Sequence, residues 1–120
     1  MELKRVPKIA TAIPQKRFQY GDYGVTILGD IDSNDGVEYR FVAAFVADGA
    51  AHPMLYVTAQ RQPPGQRAAG QYGLHVINAA LDEVMDQGDQ WRDLAAFTEQ
   101  ALKIGSQLLG LEQENPYPLM

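Results

Sequence analysis

Two runs of alternating apolar and polar residues, 23–31 and 37–47, constrain the fold more than any other feature of this chain. Apolar or small side chains occupy the odd positions of both runs, and a period of two is typical of strands. Residues 32–36, Asp-Ser-Asn-Asp-Gly, are turn formers between the runs. Closing this segment as a hairpin places Ile27 opposite Phe41, so the apolar faces of two antiparallel strands coincide.

The second run is predicted to lie in the middle of the sheet. Its even positions also become apolar at Val42 and Val46, which indicates that both of its faces are covered. A third strand is predicted over residues 54–60, and Pro63 and Pro64 then end the ladder because proline has no N–H to donate. An antiparallel β-meander is the simplest arrangement of these strands.

The segment from 71 to 87 has two interpretations. Helical spacing of its apolar residues favours a helix that ends at Gly88. Alternation in the first part of the segment leaves open a fourth strand followed by a shorter helix capped by Asn78. The residues at helical spacing are Leu74, Ile77, Leu81, Val84 and Met85, and the alternating residues are Tyr72, Leu74 and Val76.

A second helix is predicted from a cap at Asp89 to a stop at Gly110. Its apolar face is wider than one contact with a small sheet requires. Gly105 in the middle of this helix suggests that another backbone approaches there. We therefore predict self-association as a homodimer. The candidate interface residues are Trp91, Leu94, Phe97, Leu102 and Leu109.

The expected fold class is α+β, with an antiparallel β-meander of three or four strands and two C-terminal helices packed on one face. A chain of 120 residues with 46% hydrophobic content fits one domain. We assign residues 1–17 to a basic N-terminal arm with at most a short edge strand, and residues 18–110 to the single domain. Residues 111–120 form a tail, either an extended strap or a frayed end.

Charge and composition narrow the possible partners. The net charge is −5 and the chain has no cysteine. An acidic protein repels polyphosphate, so no nucleic-acid partner is predicted. We find neither a signal-peptide pattern nor an apolar run long enough to span a bilayer, so no membrane association is expected. The predicted location is the cytoplasm, which agrees with the lack of cysteine.

The loop that follows the third strand is the candidate site for an anion. Residues 65–70 have the outline of a phosphate loop, yet Gln71 and Tyr72 occupy the positions of the lysine and the hydroxyl residue that such loops need. The run 67–73, Arg-Ala-Ala-Gly-Gln-Tyr-Gly, resembles the pyrophosphate loop of GNAT-type acetyltransferases, and the resemblance implies acyl-coenzyme A as a cofactor. The candidate anion- or ligand-binding residues are Arg61, Arg67, Gly70, Gly73 and His75.

Other motifs do not form a catalytic or metal-binding set. The segment 30–41 begins like a calcium loop, but Asp35 replaces the glycine at position 6 and Phe41 replaces the glutamate at position 12. Neither histidine, His52 or His75, has a second histidine at metal-binding spacing. We therefore predict no catalytic residue, no metal and no cofactor for the favoured function.

Three functions fit the sequence. The favoured one is a small acidic cytoplasmic binding or assembly module without catalytic activity, whose partner is itself, another protein or a small ligand. The alternative is a small transferase or anion-binding enzyme that uses the loop from Arg61 to Gly73, with acyl-coenzyme A as the suggested cofactor. The third is a carrier of a small apolar ligand between sheet and helices.

Overall fold

The computed structural model describes residues 6–68 and 70–119. Its main element is a seven-stranded antiparallel sheet in the order β6-β5-β4-β3-β2-β1-β7. The elements are β1 (Ile9–Tyr20), β2 (Tyr23–Ser33), β3 (Tyr39–Ala47), β4 (Leu55–Arg61), β5 (Tyr72–Ile77), β6 (Asp82–Gln87), a 3₁₀ turn (Asp89–Arg92), α1 (Leu94–Leu109) and β7 (Tyr117–Pro118). The prediction of three or four strands with two helices is therefore wrong: the fold is mostly sheet, with one α-helix in the described residues.

The hairpin of β2 and β3 forms as predicted, but in a different register. Ile27 lies opposite Ala43 rather than Phe41. A shift of two residues keeps the same side chains on the same face, because the side-chain period of a strand is two. The ladder ends at the pair Leu28 and Val42. Beyond that pair the two strands separate, so the five-residue turn does not set the register.

The segment 71–87 is a β-hairpin, so the predicted helix is wrong. The open alternative of a fourth strand is confirmed over β5, but β6 follows it instead of a shorter helix. Asn78 does not cap a helix; its side-chain oxygen accepts hydrogen bonds from the backbone N–H groups of Ala80 and Leu81, at 2.8 and 2.7 Å. This Asx turn reverses the chain, and Leu74 and Val76 alternate into the core.

Both ends of the described chain join the sheet. Residues 9–17 of the predicted arm form most of β1, which extends to Tyr20; residues 1–5 of that arm lie outside the described ranges. The C-terminal tail forms a strap, because β7 pairs with β1 at Phe18 and Gln19. Leu111 anchors this strap against Gly21 and is 6% exposed.

Helix α1 covers one face of the sheet. It begins after Asp93, whose carboxylate accepts from the N–H of Ala96, and it ends at Gly110 in the left-handed region. A Cβ atom added at Gly105 would lie 2.3 Å from the ring of Phe45. The close approach expected at this glycine therefore comes from an aromatic side chain, not from a backbone. Within the described ranges, no helix is both long and apolar enough to cross a bilayer.

The core lies between α1, the 3₁₀ turn and the inward side chains of β1 to β5. Every strand of this group contributes alternate residues, as the period of two requires. The largest fully buried members are Phe45, Phe97, Ile27, Leu55, Leu74, Val25, Val57 and Val76.

Candidate functional site

The face of the sheet opposite α1 contains buried polar side chains. Val42, Thr58 and Ile77 are fully buried there, and Gln60 is 5% exposed. They alternate with the residues that contact α1, so they point to the other side of the sheet. Gln60 Nε2 donates to Thr58 Oγ1 at 2.7 Å. Burial also raises the pKa of the Tyr56 phenol on this face. The second face is thus partly desolvated without being apolar.

An open groove of about 710 Å³ crosses this face at the end of β4. Its volume lies within the range of about 300 to 1,000 Å³ that is common for small-molecule sites. Two loops form its rims, residues 36–38 before β3 and residues 62–67 after β4. The lining residues are Gly36, Val37, Glu38, Gln60, Arg61, Gln62, Pro63, Pro64, Gln66, Arg67, His75, Val84 and Gln87.

Gly73 makes room for a side chain of the groove lining. It lies between Gln60 on β4 and Gln87 on β6 in one cross-strand row. A Cβ atom at this position would lie 2.7 Å from Gln62 Oε1 and 3.0 Å from His75 Nε2. The missing side chain therefore makes room for the end of Gln62 beside His75.

Gln62 is held in the groove by its backbone. Its N–H donates to the carbonyl of Gln71 at 2.7 Å, and its carbonyl accepts from Arg67 Nε at 2.9 Å. The residue is only 4% exposed, and its side-chain Nε2 has no hydrogen-bond partner among the described residues. A buried donor without an acceptor costs about 1–3 kcal/mol. The wall of the groove therefore contains a desolvated donor that is closed to solvent.

Two arginines give this part of an acidic chain a positive charge. Arg67 is half-buried, and its bond to the Gln62 carbonyl uses only one of its guanidinium N–H groups. Arg61 pairs with Glu38 at 3.4 Å, but both side chains are exposed, so the pair contributes little stability. The groove lining thus contains two guanidinium groups and one carboxylate, whereas the whole chain carries a net charge of −5.

The loop conformation removes the predicted helix-terminal anion site. Gln66 N–H donates to the Pro63 carbonyl at 3.0 Å, and Gly65 has a φ of 89°, as a Pro-Gly turn requires. Gly70 does not line the groove; a Cβ atom there would lie 2.4 Å from the Cα of Gly88. Strand β5, not a helix, follows the loop. The resemblance to a pyrophosphate loop therefore lacks the helix N-terminus that would hold the anion.

A hydrogen-bonded turn supports the rim at residues 36–38. The Asp35 carboxylate accepts from the backbone N–H of Lys8 and of Val37 and from the Tyr39 hydroxyl, the last at 2.7 Å. Partial burial raises the pKa of this carboxyl, but the hydrogen bonds outweigh burial and leave the pKa below its ordinary value. Asp35 is thus a structural acceptor in the turn, which agrees with the prediction that this segment is a turn.

The candidate interface residues pack within the chain. Trp91 is 6% exposed and Phe97 is fully buried. Leu94, Leu102 and Leu109 are half-buried against the same core. The wide apolar face of α1 therefore covers the sheet and the turn before the helix. Homodimer formation stays a prediction.

The sequence identified part of the groove. Three of the predicted binding residues line the groove, namely Arg61, Arg67 and His75, and a fourth, Gly73, lies beneath it. His52 is exposed in the connection between β3 and β4 and does not line the groove. Among residues 6–68 and 70–119, no three His, Asp or Glu side chains form a group that could hold a metal ion. Sequence reasoning missed the glutamines Gln60, Gln62, Gln66 and Gln87. The available signal was the series of polar residues at alternate positions before the proline turn, namely Thr58, Gln60 and Gln62.

Comparison with protein-family models, with curated proteins and with solved structures finds no match for this chain.

Proposed function

We propose that this chain is a binding protein without catalytic activity and that the groove takes a small organic anion. One observation carries the proposal: Arg61 and Arg67 line a groove of about 710 Å³ together with four glutamines. Guanidinium groups bind carboxylates with paired hydrogen bonds, and a partly buried guanidinium binds more strongly than an exposed one. Arg67 has this partly buried position.

The walls of the groove favour an organic anion over inorganic phosphate. Val37, Pro63, Pro64 and Val84 add apolar surface to the lining. A ligand with a short hydrocarbon or amide segment can bury that surface, whereas a fully hydrated phosphate cannot. The acidic charge of the whole chain also disfavours ligands that carry several phosphates.

The kinds of side chain along the groove support binding rather than group transfer. The lining contains amides, two guanidiniums, one imidazole and one carboxylate, and no hydroxyl, thiol or amine side chain. Amide and guanidinium groups recognise ligands through directed hydrogen bonds. The alternative of a transferase that uses acyl-coenzyme A has no comparable support, because β5 occupies the place of the helix that would bind the pyrophosphate.

Calorimetric titration with hexanoate tests the proposal. We expect a dissociation constant on the order of 1 mM, because one guanidinium contact and a short apolar chain supply modest binding energy. Arg67→Ala should weaken binding about tenfold or more. Arg17→Ala removes the same charge from an exposed position on β1 that does not line the groove, and it should leave binding unchanged.

Two outcomes would overturn the proposal. One is the absence of any saturable heat with hexanoate at concentrations well above the expected dissociation constant. The other is equal weakening by Arg67→Ala and Arg17→Ala, which would mean that only net charge attracts the anion. Tight binding of acetyl-coenzyme A or ATP, lost in Arg67→Ala, would favour the nucleotide-binding enzyme instead.

A further inference from the structure

The carboxylate of the groove lining limits the charge of the ligand. We infer that the groove selects ligands with a single carboxylate, and that Glu38 excludes a second carboxylate because it pairs with Arg61. This inference rests on the proposed function, since it specifies the charge of the same anion. Short aliphatic monocarboxylates belong to the selected class, and dicarboxylates of the same length do not.

Glu38 and Arg61 are neighbours across the strands that border the groove. The adjacent pair on the ladder of β3 and β4 is Tyr39 and Gln60, and the Arg61 backbone N–H donates to the Glu38 carbonyl at 2.9 Å. Their side chains also meet, with Arg61 Nη1 at 3.4 Å from Glu38 Oε2. Both residues line the groove. The backbone therefore keeps this carboxylate beside this guanidinium.

A ligand can reach the pair. The side chain of Arg61 is 38% exposed and that of Glu38 is 67% exposed. Because Glu38 is tethered beside Arg61, it competes with a ligand carboxylate at a high effective concentration. Exposed pairs of this kind contribute little to stability, so Glu38 can be substituted without loss of the fold.

The second arginine of the groove has a neutral partner. Arg67 Nε donates to the Gln62 carbonyl at 2.9 Å. Among the described residues that line the groove, the one carboxylate is that of Glu38, and it pairs with Arg61. The two guanidinium groups therefore differ in what they offer to a ligand: Arg67 has a charge without a paired carboxylate in the lining, whereas the charge of Arg61 is balanced by Glu38.

A ligand with two carboxylates is therefore at a disadvantage. When one carboxylate binds Arg67, the other enters a groove in which Glu38 repels it and Arg61 is already paired. Its desolvation then lacks a compensating contact. A monocarboxylate instead can place its apolar end against the apolar part of the lining. Repulsion of the wrong ligand is a common source of specificity.

Hexanoate and adipate isolate this effect. Both have six carbons, and at pH 7 they differ by one ionised carboxylate. At low ionic strength, where exposed charges are little screened, we expect calorimetry to show that the wild-type chain binds hexanoate about threefold more tightly than adipate. In Glu38→Gln the preference should reverse to about tenfold in favour of adipate, because Arg61 is free to bind the second carboxylate.

Two further variants locate the source of the preference. Glu99→Gln makes the same change of charge at an exposed position of α1 that does not line the groove, so it should keep the wild-type preference. The double variant Glu38→Gln with Arg61→Gln should lose the preference for adipate, because no guanidinium remains for the second carboxylate. A thermal melt checks that each variant folds, and the ligand pair tests the wild-type chain by itself.

The outcomes separate the inference from the proposed function. Equal binding of hexanoate and adipate by the wild-type chain, still dependent on Arg67, would overturn the inference and leave the anion site standing. An unchanged preference in Glu38→Gln, or the same reversal in Glu99→Gln, would overturn it as well. Binding of neither ligand by the wild-type chain would overturn the proposed function. Reversal in Glu38→Gln but not in Glu99→Gln would support the inference.

Discussion

The face of the sheet beneath α1 and the face that contains the groove are both buried in their central strands, but by different side chains. Beneath α1, Phe45, Val57 and Leu74 pack against Phe97 and other apolar residues. On the groove face, buried Val42 on β3 and Ile77 on β5 flank β4, whose buried side chains Thr58 and Gln60 are polar. Apolar side chains of suitable volume are enough to pack the first face, whereas the buried polar atoms of the second face require hydrogen-bond partners.

This difference separates stability from binding. On the helix-covered face each side chain contributes through the apolar area that it removes from water. On the groove face the donor of the Gln62 amide is buried without a partner among the described residues, which lowers stability. Substitutions on the two faces should therefore differ in size and in sign.

The largest effect is expected for Phe97→Ala. Phe97 is fully buried, and its ring lies 5.3 Å from the ring of Phe41. Its loss should lower the free energy of unfolding by about 3–5 kcal/mol, because a cavity remains in the core. Val84→Ala on the groove face removes a side chain that is 46% exposed, so the loss there should be below about 1 kcal/mol. Urea denaturation of both variants measures the two losses of unfolding free energy. Equal losses would contradict the expected difference between the two faces.

A smaller loss is expected for Gly105→Ala. In most helices this change stabilises the protein by about 1 kcal/mol. Here the added Cβ would overlap the ring of Phe45, so we expect destabilisation by about 1–3 kcal/mol. Combining it with Phe45→Leu should make the two effects less than additive, since the smaller side chain removes the overlap. Stabilisation by Gly105→Ala alone would show that α1 does not lie so close to β3.

The smallest effect, and one of opposite sign, is expected for Gln62→Leu. The substitution removes a buried donor without a partner, so the free energy of unfolding should stay the same or rise by up to about 1 kcal/mol. Thr58→Val is a contrasting change on the same face, because it removes the acceptor of Gln60 Nε2 and should destabilise the protein. A clear loss of stability in Gln62→Leu would mean that the amide is satisfied in solution.

The sequence predicted the central strands more reliably than the segment after them. Alternation in β2 and β3 was strong, and even a register error of two residues preserved the faces. In β5 and β6 the same apolar residues fitted both periods, and the Asx turn at Asn78 decided between them. The pairing of β5 with β4 places these residues in the sheet, and a local sequence pattern does not show this pairing.

The groove could be predicted only in part for a related reason. The charges of Arg61 and Arg67 next to a Pro-Gly loop were visible in the sequence. The roles of Gln60, Gln62 and Gly73 depend on cross-strand neighbours that are far apart along the chain. Gly70 appeared to be part of an anion loop because the strand that follows it was interpreted as a helix.

A ¹⁵N-resolved NMR titration of the chain with hexanoate shows which face of the sheet binds the anion. It observes the side-chain amides of Gln60 and Gln62 together with the backbone of both groove rims. We expect saturable shifts at the backbone N–H groups of Arg61, Gln62, Gln66 and Arg67, with no change around Phe97 on α1. Absence of saturable shifts in the groove rims, or shifts centred on the helix-covered face, would contradict the proposed anion site.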